Sequence, residues 1–200
     1  MTKIYFSSTS SISDDCLDVI GCMESSLQYG VRTNWVNRSN WWCLDSGTFT
    51  KPFIEEKWKT HVTKYIPFID KCKFVVIPDI VYDSEKTLKN FYKYRDFVTN
   101  LGFPCAFVTQ DGIKISDIPF DLFDVLFIGG SNTHKLGDEA RKIINYAKTL
   151  NKWIHVGRVN SIKRLNIFCD CDSWDGTHLG FFPSDDKKFA FHIRRLNNEN

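Results

Sequence analysis

Phe74-Val75-Val76-Ile77 runs directly into Pro78-Asp79, and the same unit recurs along the chain. Downstream, Ala106-Phe107-Val108 leads to Gln110-Asp111-Gly112, and Val125-Leu126-Phe127-Ile128 leads to Gly129-Gly130. Trp153-Ile154-His155-Val156 leads to Gly157-Arg158, and Ile167-Phe168-Cys169 leads to Asp170-Cys171-Asp172. Upstream, Trp41-Trp42-Cys43-Leu44 enters Asp45-Ser46-Gly47. Apolar runs this short, bounded by Gly, Pro and Asp, read as strands buried on both faces of a parallel sheet.

The intervening segments carry helical signals. Asp83-Ser84 caps a periodic stretch with Leu88, Phe91, Arg95 and Val98 that stops at Gly102, with Pro104 just beyond. Leu136, Ala140, Ile143, Ile144 and Ala147 form a second apolar stripe, and a third helix is predicted from Ile54 to Tyr65. Strand and helix therefore alternate, as in βα units. Ile4–Ser7 supplies a further strand and Phe189–Ile193 a candidate for the eighth. The predicted fold is α/β, a compact, trimmed TIM-type (β/α) barrel of one domain over residues 1–200, because 200 residues are few for this architecture. No Gly-x-Gly-x-x-Gly turn follows the first strand, which disfavours an open dinucleotide-binding sheet.

A net charge of +2 neither demands nor excludes a polyanionic partner. No apolar run approaches the length of a membrane span, and the N-terminus lacks a signal peptide's apolar region. Seven cysteines, mostly inside apolar runs, suggest reduced thiols in a cytoplasmic setting. Cys169-x-Cys171, with His178 and His192 downstream, lacks the pair spacing of a structural zinc site, so neither metal nor cofactor is expected.

Polar residues at strand C-termini are where such a barrel builds its active site. Here they are Asp45, Asp79, Gln110, the Gly129-Gly130 backbone, Arg158, and Asp172 with Asp175. Converging carboxylates suit glycosyl chemistry, one attacking an anomeric carbon while another handles protons. Asp beside Gln and close-approaching glycine backbone suits a planar heterocycle, which Phe49 and Trp174 could sandwich. Taken singly, each signal also reads as a turn, a cap or a core aromatic.

Asp45-Ser46-Gly47-Thr48-Phe49 resembles the Asp-Ser-Gly-Gly-Phe motif of the tRNA-guanine transglycosylases. In the same order, Asp79, Val108-Thr109-Gln110, Ile128-Gly129-Gly130 and Asp170-Cys171-Asp172-Ser173 resemble that superfamily's base-recognition and nucleophile elements. The Cys-x-Cys-x-x-Cys…His zinc element is missing. Trp174-Asp175-Gly176-Thr177 and Lys152 to Ser161 look more like the short phage and bacterial relatives that place 7-deazaguanine bases in DNA.

The resemblance implies exchange of guanine for a 7-deazaguanine derivative through a covalent aspartyl-glycosyl intermediate. It implies Asp172 as nucleophile, with Asp175 its main rival, and Asp45 as general acid/base. Ser46, Phe49, Asp79, Gln110, Gly129 and Gly130 would hold the base, and Arg158, Lys163 and Arg164 would contact phosphates. DNA is the expected polymer and tRNA the alternative, with no membrane partner, acting in the host cytoplasm if phage-encoded. Two other functions stay open: a nucleoside hydrolase or free-nucleoside base transferase, and a non-catalytic nucleobase- or nucleic-acid-binding module.

Overall fold

The computed structural model describes residues 2–25, 32–48 and 52–199. Its centre is a closed barrel of eight parallel strands in sequence order. They are β1 (Ile4–Ser7), β2 (Ile20–Ser25), β3 (Trp42–Asp45), β4 (Cys72–Val76), β5 (Cys105–Thr109), β6 (Val125–Ile128), β7 (Trp153–Val156) and β8 (Ser173–Asp175). β1 pairs with β8 through Ile4 with Ser173, Tyr5 with Trp174 and Phe6 with Asp175, which removes both sheet edges. The helices are α1 (Thr33–Arg38), α2 (Glu55–Thr63), α3 (Ser84–Asn100), α4 (Asn132–Leu136), α5 (Asp138–Thr149), α6 (Ile162–Ile167), α7 (His178–Phe181) and α8 (Asp186–Asn198). Among the described residues no helix is long and apolar enough to cross a membrane.

Strand alternation divides the apolar residues into two layers. Ile4, Phe6, Cys43, Phe74, Val76, Ala106, Val108 and Val125 fill the barrel interior with Trp41, Phe127 and Trp153. Their neighbours on the same strands, including Tyr5, Leu44, Val75, Phe107, Leu126 and Ile154, pack outward beneath the helices. At the end where strands enter, the Lys73 ammonium lies 3.9 Å from the Trp41 ring centroid and 5.1 Å from that of Trp153. Its cation is held against two aromatic faces there, and burial pulls its pKa down.

Five of the six quoted apolar runs form strands, and the sixth does not. Ser161 caps α6 by accepting from the Arg164 N–H at 3.3 Å, so Ile167 ends a helix and Phe168 and Cys169 leave it. The closing strand lies further on, at Ser173–Asp175. Phe189–Ile193 is equally not a strand. It sits inside α8, where Phe189, Ala190, Ile193 and Leu196 face the core at helical spacing. β2 also lacks an apolar-run signal, because Gly21 and Glu24 interrupt its pattern. Gly21 is required because a Cβ there would lie 2.8 Å from both the Phe6 ring and the Trp41 carbonyl.

Phe74 meets Phe6 at 5.8 Å and Phe127 at 6.3 Å, both edge-on, inside the barrel. Phe74→Ala is expected to cost ~3–5 kcal/mol in stability. Denaturant unfolding should show a lower midpoint at unchanged slope.

Candidate active site

The strand C-termini converge on a cavity of about 260 Å³. Ser8, Ser25, Asp45, Asp79, Gln110, Gly129, Gly130, Gly157, Arg158 and Asp175 line it, with Met23, Val76, Val108 and Phe127 as its apolar floor. That volume lies just below the roughly 300–1,000 Å³ usual for drug-sized ligands and suits one small ring system. A wider groove of about 610 Å³ lies elsewhere, between the segment entering β6 and Tyr146 and Leu150 of the α5 region. It gathers a single carboxylate, Asp121, and none of the strand ends.

Three carboxylates reach the mouth in different environments. Asp45 ends β3, and burial followed by the negative charges of Asp79 and Asp175 pushes its pKa up to about 7. The Gly47 N–H, donating to Asp45 Oδ2 at 3.1 Å, opposes that rise. Asp79 is surrounded by donors. Its Oδ1 accepts from Thr48 Oγ1 at 2.7 Å and Ser46 Oγ at 3.1 Å, and its Oδ2 from Gln110 Nε2 at 2.6 Å. The Tyr82 N–H in turn donates to Gln110 Oε1 at 2.9 Å. Asp79, Gln110 and Ser46 therefore meet as one network, which orients the Gln110 amide.

Gly129 and Gly130 complete that wall for steric reasons. A Cβ on Gly129 would lie 2.7 Å from Val108 Cγ1 and 3.3 Å from Gln110 Nε2. Gly130 has φ +74°, which only glycine adopts freely, and its Cβ would lie 2.7 Å from Asp111 Oδ2.

Asp175 ends β8 and faces the cavity. His155 Nε2 is 2.9 Å from its Oδ1, and the Arg158 backbone N–H is 3.4 Å from its Oδ2. Arg158 holds φ +58°, an uncommon conformation for a side-chain-bearing residue and one found at functional sites.

Asp172, expected to be the nucleophile, does not reach the mouth. It precedes β8, where the strand enters the barrel rather than leaving it. Its Oδ2 accepts from the Ile154 N–H at 2.8 Å, and its own N–H donates to the Ile154 carbonyl at 2.9 Å. Burial there raises its pKa. The displacement follows from the misread strand: Asp175, not Asp172, occupies the end of β8. Trp174 does not sandwich a ligand either. It is fully buried in the outer layer and donates to the Phe168 carbonyl at 3.1 Å. Phe49 lies outside the described residues.

Of the expected phosphate contacts, Arg158 turns its guanidinium to the Gly130 carbonyl. Arg164 Nη1 donates to the Arg158 carbonyl at 3.2 Å, and Lys163 is exposed on α6. Two residues beside the site escaped the sequence reading. His155 contacts Asp175, and Lys135 of α4 donates from Nζ to the Gly157 carbonyl at 2.5 Å. Burial, then Arg158, lowers the Lys135 pKa to about 8. Among the described residues no group of three or more His, Cys, Asp or Glu side chains is arranged to hold a metal ion.

No family model matches the chain, and no curated protein does. Solved structures do. Tryptophan synthase from M. tuberculosis, in an open form with BRD0059 bound, aligns with a TM-score of 0.54 at 7% identity, covering 98% of this chain and 90% of that one. A ligand-free form of the same protein, carrying a mutant TrpA chain, aligns at 0.49 and 8% identity, with the same coverage. The first likeness shows a shared TIM-barrel fold, an architecture used by enzymes.

The Asp45 shift predicts how stability responds to pH. An acid with a raised folded-state pKa contributes stability fully below its unfolded value near 3.9, and loses it as pH rises through the folded value of about 7. Asp45→Asn should flatten the fall in melting temperature between about pH 4 and pH 7, and should melt higher than the unaltered protein above pH 7. Melting curves across that range check both.

Proposed function

We propose that this mouth exchanges a guanine base of a nucleic acid, DNA in the first instance, for a 7-deazaguanine derivative, with Asp175 as nucleophile and Asp45 as general acid/base. The observation that carries the reading is a pair of aspartates at one mouth with opposite surroundings. Asp175 has His155 Nε2 at one oxygen and the Arg158 backbone N–H at the other. Asp45 is pushed by burial and like charge to a pKa of about 7, where it can both give and take a proton.

Each half of the exchange is then a displacement at C1′ of the sugar. The Asp175 carboxylate bonds to C1′ as the bond to guanine breaks, and Asp45 supplies the proton that the departing base requires. The incoming 7-deazaguanine then gives its ring N–H proton to Asp45 and bonds to C1′ as the bond to Asp175 breaks. Two inversions retain configuration and return both aspartates to their starting states. Asp79 and Gln110 fit the donor and acceptor edge of a guanine-like ring. The 260 Å³ cavity has room for the base but not for a stacked duplex, so a target in duplex DNA must be flipped out, at about a few kcal/mol. The ordered resemblance to guanine transglycosylases supports the same chemistry, with the nucleophile moved to Asp175.

Labelled guanine incubated with protein and DNA, tRNA or free nucleoside tests the reading. Exchange into DNA is expected, with a covalent protein–DNA species on denaturing gels. Asp175→Asn should abolish that species, while Asp172→Asn should retain it. Asp45→Asn should slow proton-coupled steps by ~10²–10⁴-fold. A protein that exchanges only free nucleoside, or an adduct that survives Asp175→Asn, overturns it.

Salt dependence separates the polymer from the nucleoside alternative. Neutralising Lys163, the exposed cation of the set, should weaken DNA binding across sequences and reduce the slope of log affinity against log salt by roughly one unit. Titrations at several salt concentrations measure it.

A further inference from the structure

A buried chain of hydrogen bonds runs through the barrel to Asp175. Trp153 Nε1 donates to Ser173 Oγ at 2.8 Å, Ser173 Oγ lies 2.9 Å from His155 Nδ1, and His155 Nε2 lies 2.9 Å from Asp175 Oδ1. Ser173 and His155 are both fully buried. The imidazole is wedged among aromatic rings, with centroids 4.4 Å from Phe127, 5.0 Å from Phe74 and 5.9 Å from Phe6.

The chain has one consistent direction. An indole N–H only donates, so Ser173 Oγ accepts from Trp153 and has its single proton left for His155 Nδ1. Nδ1 is then an acceptor, and the ring proton sits on Nε2, aimed at Asp175. A doubly protonated ring would point a second N–H at Ser173 Oγ. The buried hydroxyl proton would then have no acceptor among the described residues, a costly arrangement.

We infer that His155 is a positioning residue for Asp175, locked in its neutral Nε2–H form by Trp153 and Ser173. It fixes Oδ1 and leaves Oδ2, the oxygen nearer the Arg158 N–H, to face the sugar carbon. The inference rests on the proposed role of Asp175 for its kinetic consequence but not for its tautomer. Phe is the replacement that preserves packing among the rings while removing the donor. Gln retains an N–H that can reach a carboxylate.

The experiment has two arms. Nitrogen-15 spectra of the imidazoles, assigned by loss of one set in His155→Phe, should show His155 protonated at Nε2 and bare at Nδ1. Ser173→Ala, which removes the donor to Nδ1 together with the acceptor of the Trp153 N–H, should shift that ring toward a mixture of tautomers. In the second arm, adduct formation with DNA should fall by ~10–100-fold in kcat for His155→Phe, the scale of a misplaced reacting group, with KM within about twofold. His155→Gln should recover part of the loss. An Nδ1–H tautomer in the unaltered protein overturns the lock. A folded His155→Phe with an unchanged rate overturns the positioning role, and Ser173→Ala takes that test if His155→Phe does not fold. If Asp175→Asn still forms adduct, the transglycosylase reading fails, while the nitrogen spectra still decide the lock.

Discussion

Closing eight parallel strands on themselves leaves an interior that only side chains can fill, and most features of this molecule answer that constraint. The strands are short, three to six residues each, so the interior is shallow. Aromatic rings fill it: Phe6, Phe74, Phe127 and the His155 imidazole in contact, above Trp41 and Trp153 against Lys73. Large, flat side chains close a narrow barrel with few residues. The same filling makes the floor of the mouth apolar.

The carboxylates above that floor have different neighbours. Asp45 is disfavoured as an anion first by burial and then by the negative charges of Asp79 and Asp175. Asp79 accepts three side-chain hydrogen bonds, and Asp175 has the imidazole below it and a backbone N–H beside it. Three like side chains on one rim thus stand in three settings: one with its pKa pushed up to about 7, one held by three side-chain donors, and one between an imidazole and a backbone N–H. The groups around Asp79 and Asp175 come from sequence neighbours of Asp45 (Ser46, Thr48) or from neighbouring strands and their ends (Gln110, His155, Arg158).

Where apolar runs were unbroken, the strands and the rim residues that follow them could be read from sequence, as at Leu44-Asp45, Ile77-Pro78-Asp79 and Ile128-Gly129-Gly130. Two strands were not legible. β2 carries Gly21 for steric clearance and Glu24 for an ion pair with Arg32 at 2.7 Å and a hydrogen bond from Tyr65 at 2.9 Å, so its composition is not that of a buried strand. β8 is only Ser173–Asp175, and two of its three side chains are polar because they belong to the His155 chain and the mouth. The apolar stretch just before it, Ile167-Phe168-Cys169, offered a better strand pattern than the true one. The expected nucleophile, Asp172, therefore falls where β8 enters the barrel, and Asp175 falls where it leaves. His155 was visible in sequence, alternating with Trp153 on one face of β7, but a lone histidine in an apolar run carries no signal of what lies above it.

Polar groups at and beneath the mouth thus come from an element that departs most from its fold's usual pattern. A strand that must supply a buried serine and a rim aspartate cannot also be apolar, and its brevity follows. Its pairing with β1 and β7 spans only a few residues, so side-chain hydrogen bonds help define its register: Ser173 to Trp153 and His155, and Asp175 to His155. The bonds that orient the carboxylate at the mouth are thus the bonds that seat the closing strand. Loosening one loosens the other, which ties the precision of the site to the closure of the barrel.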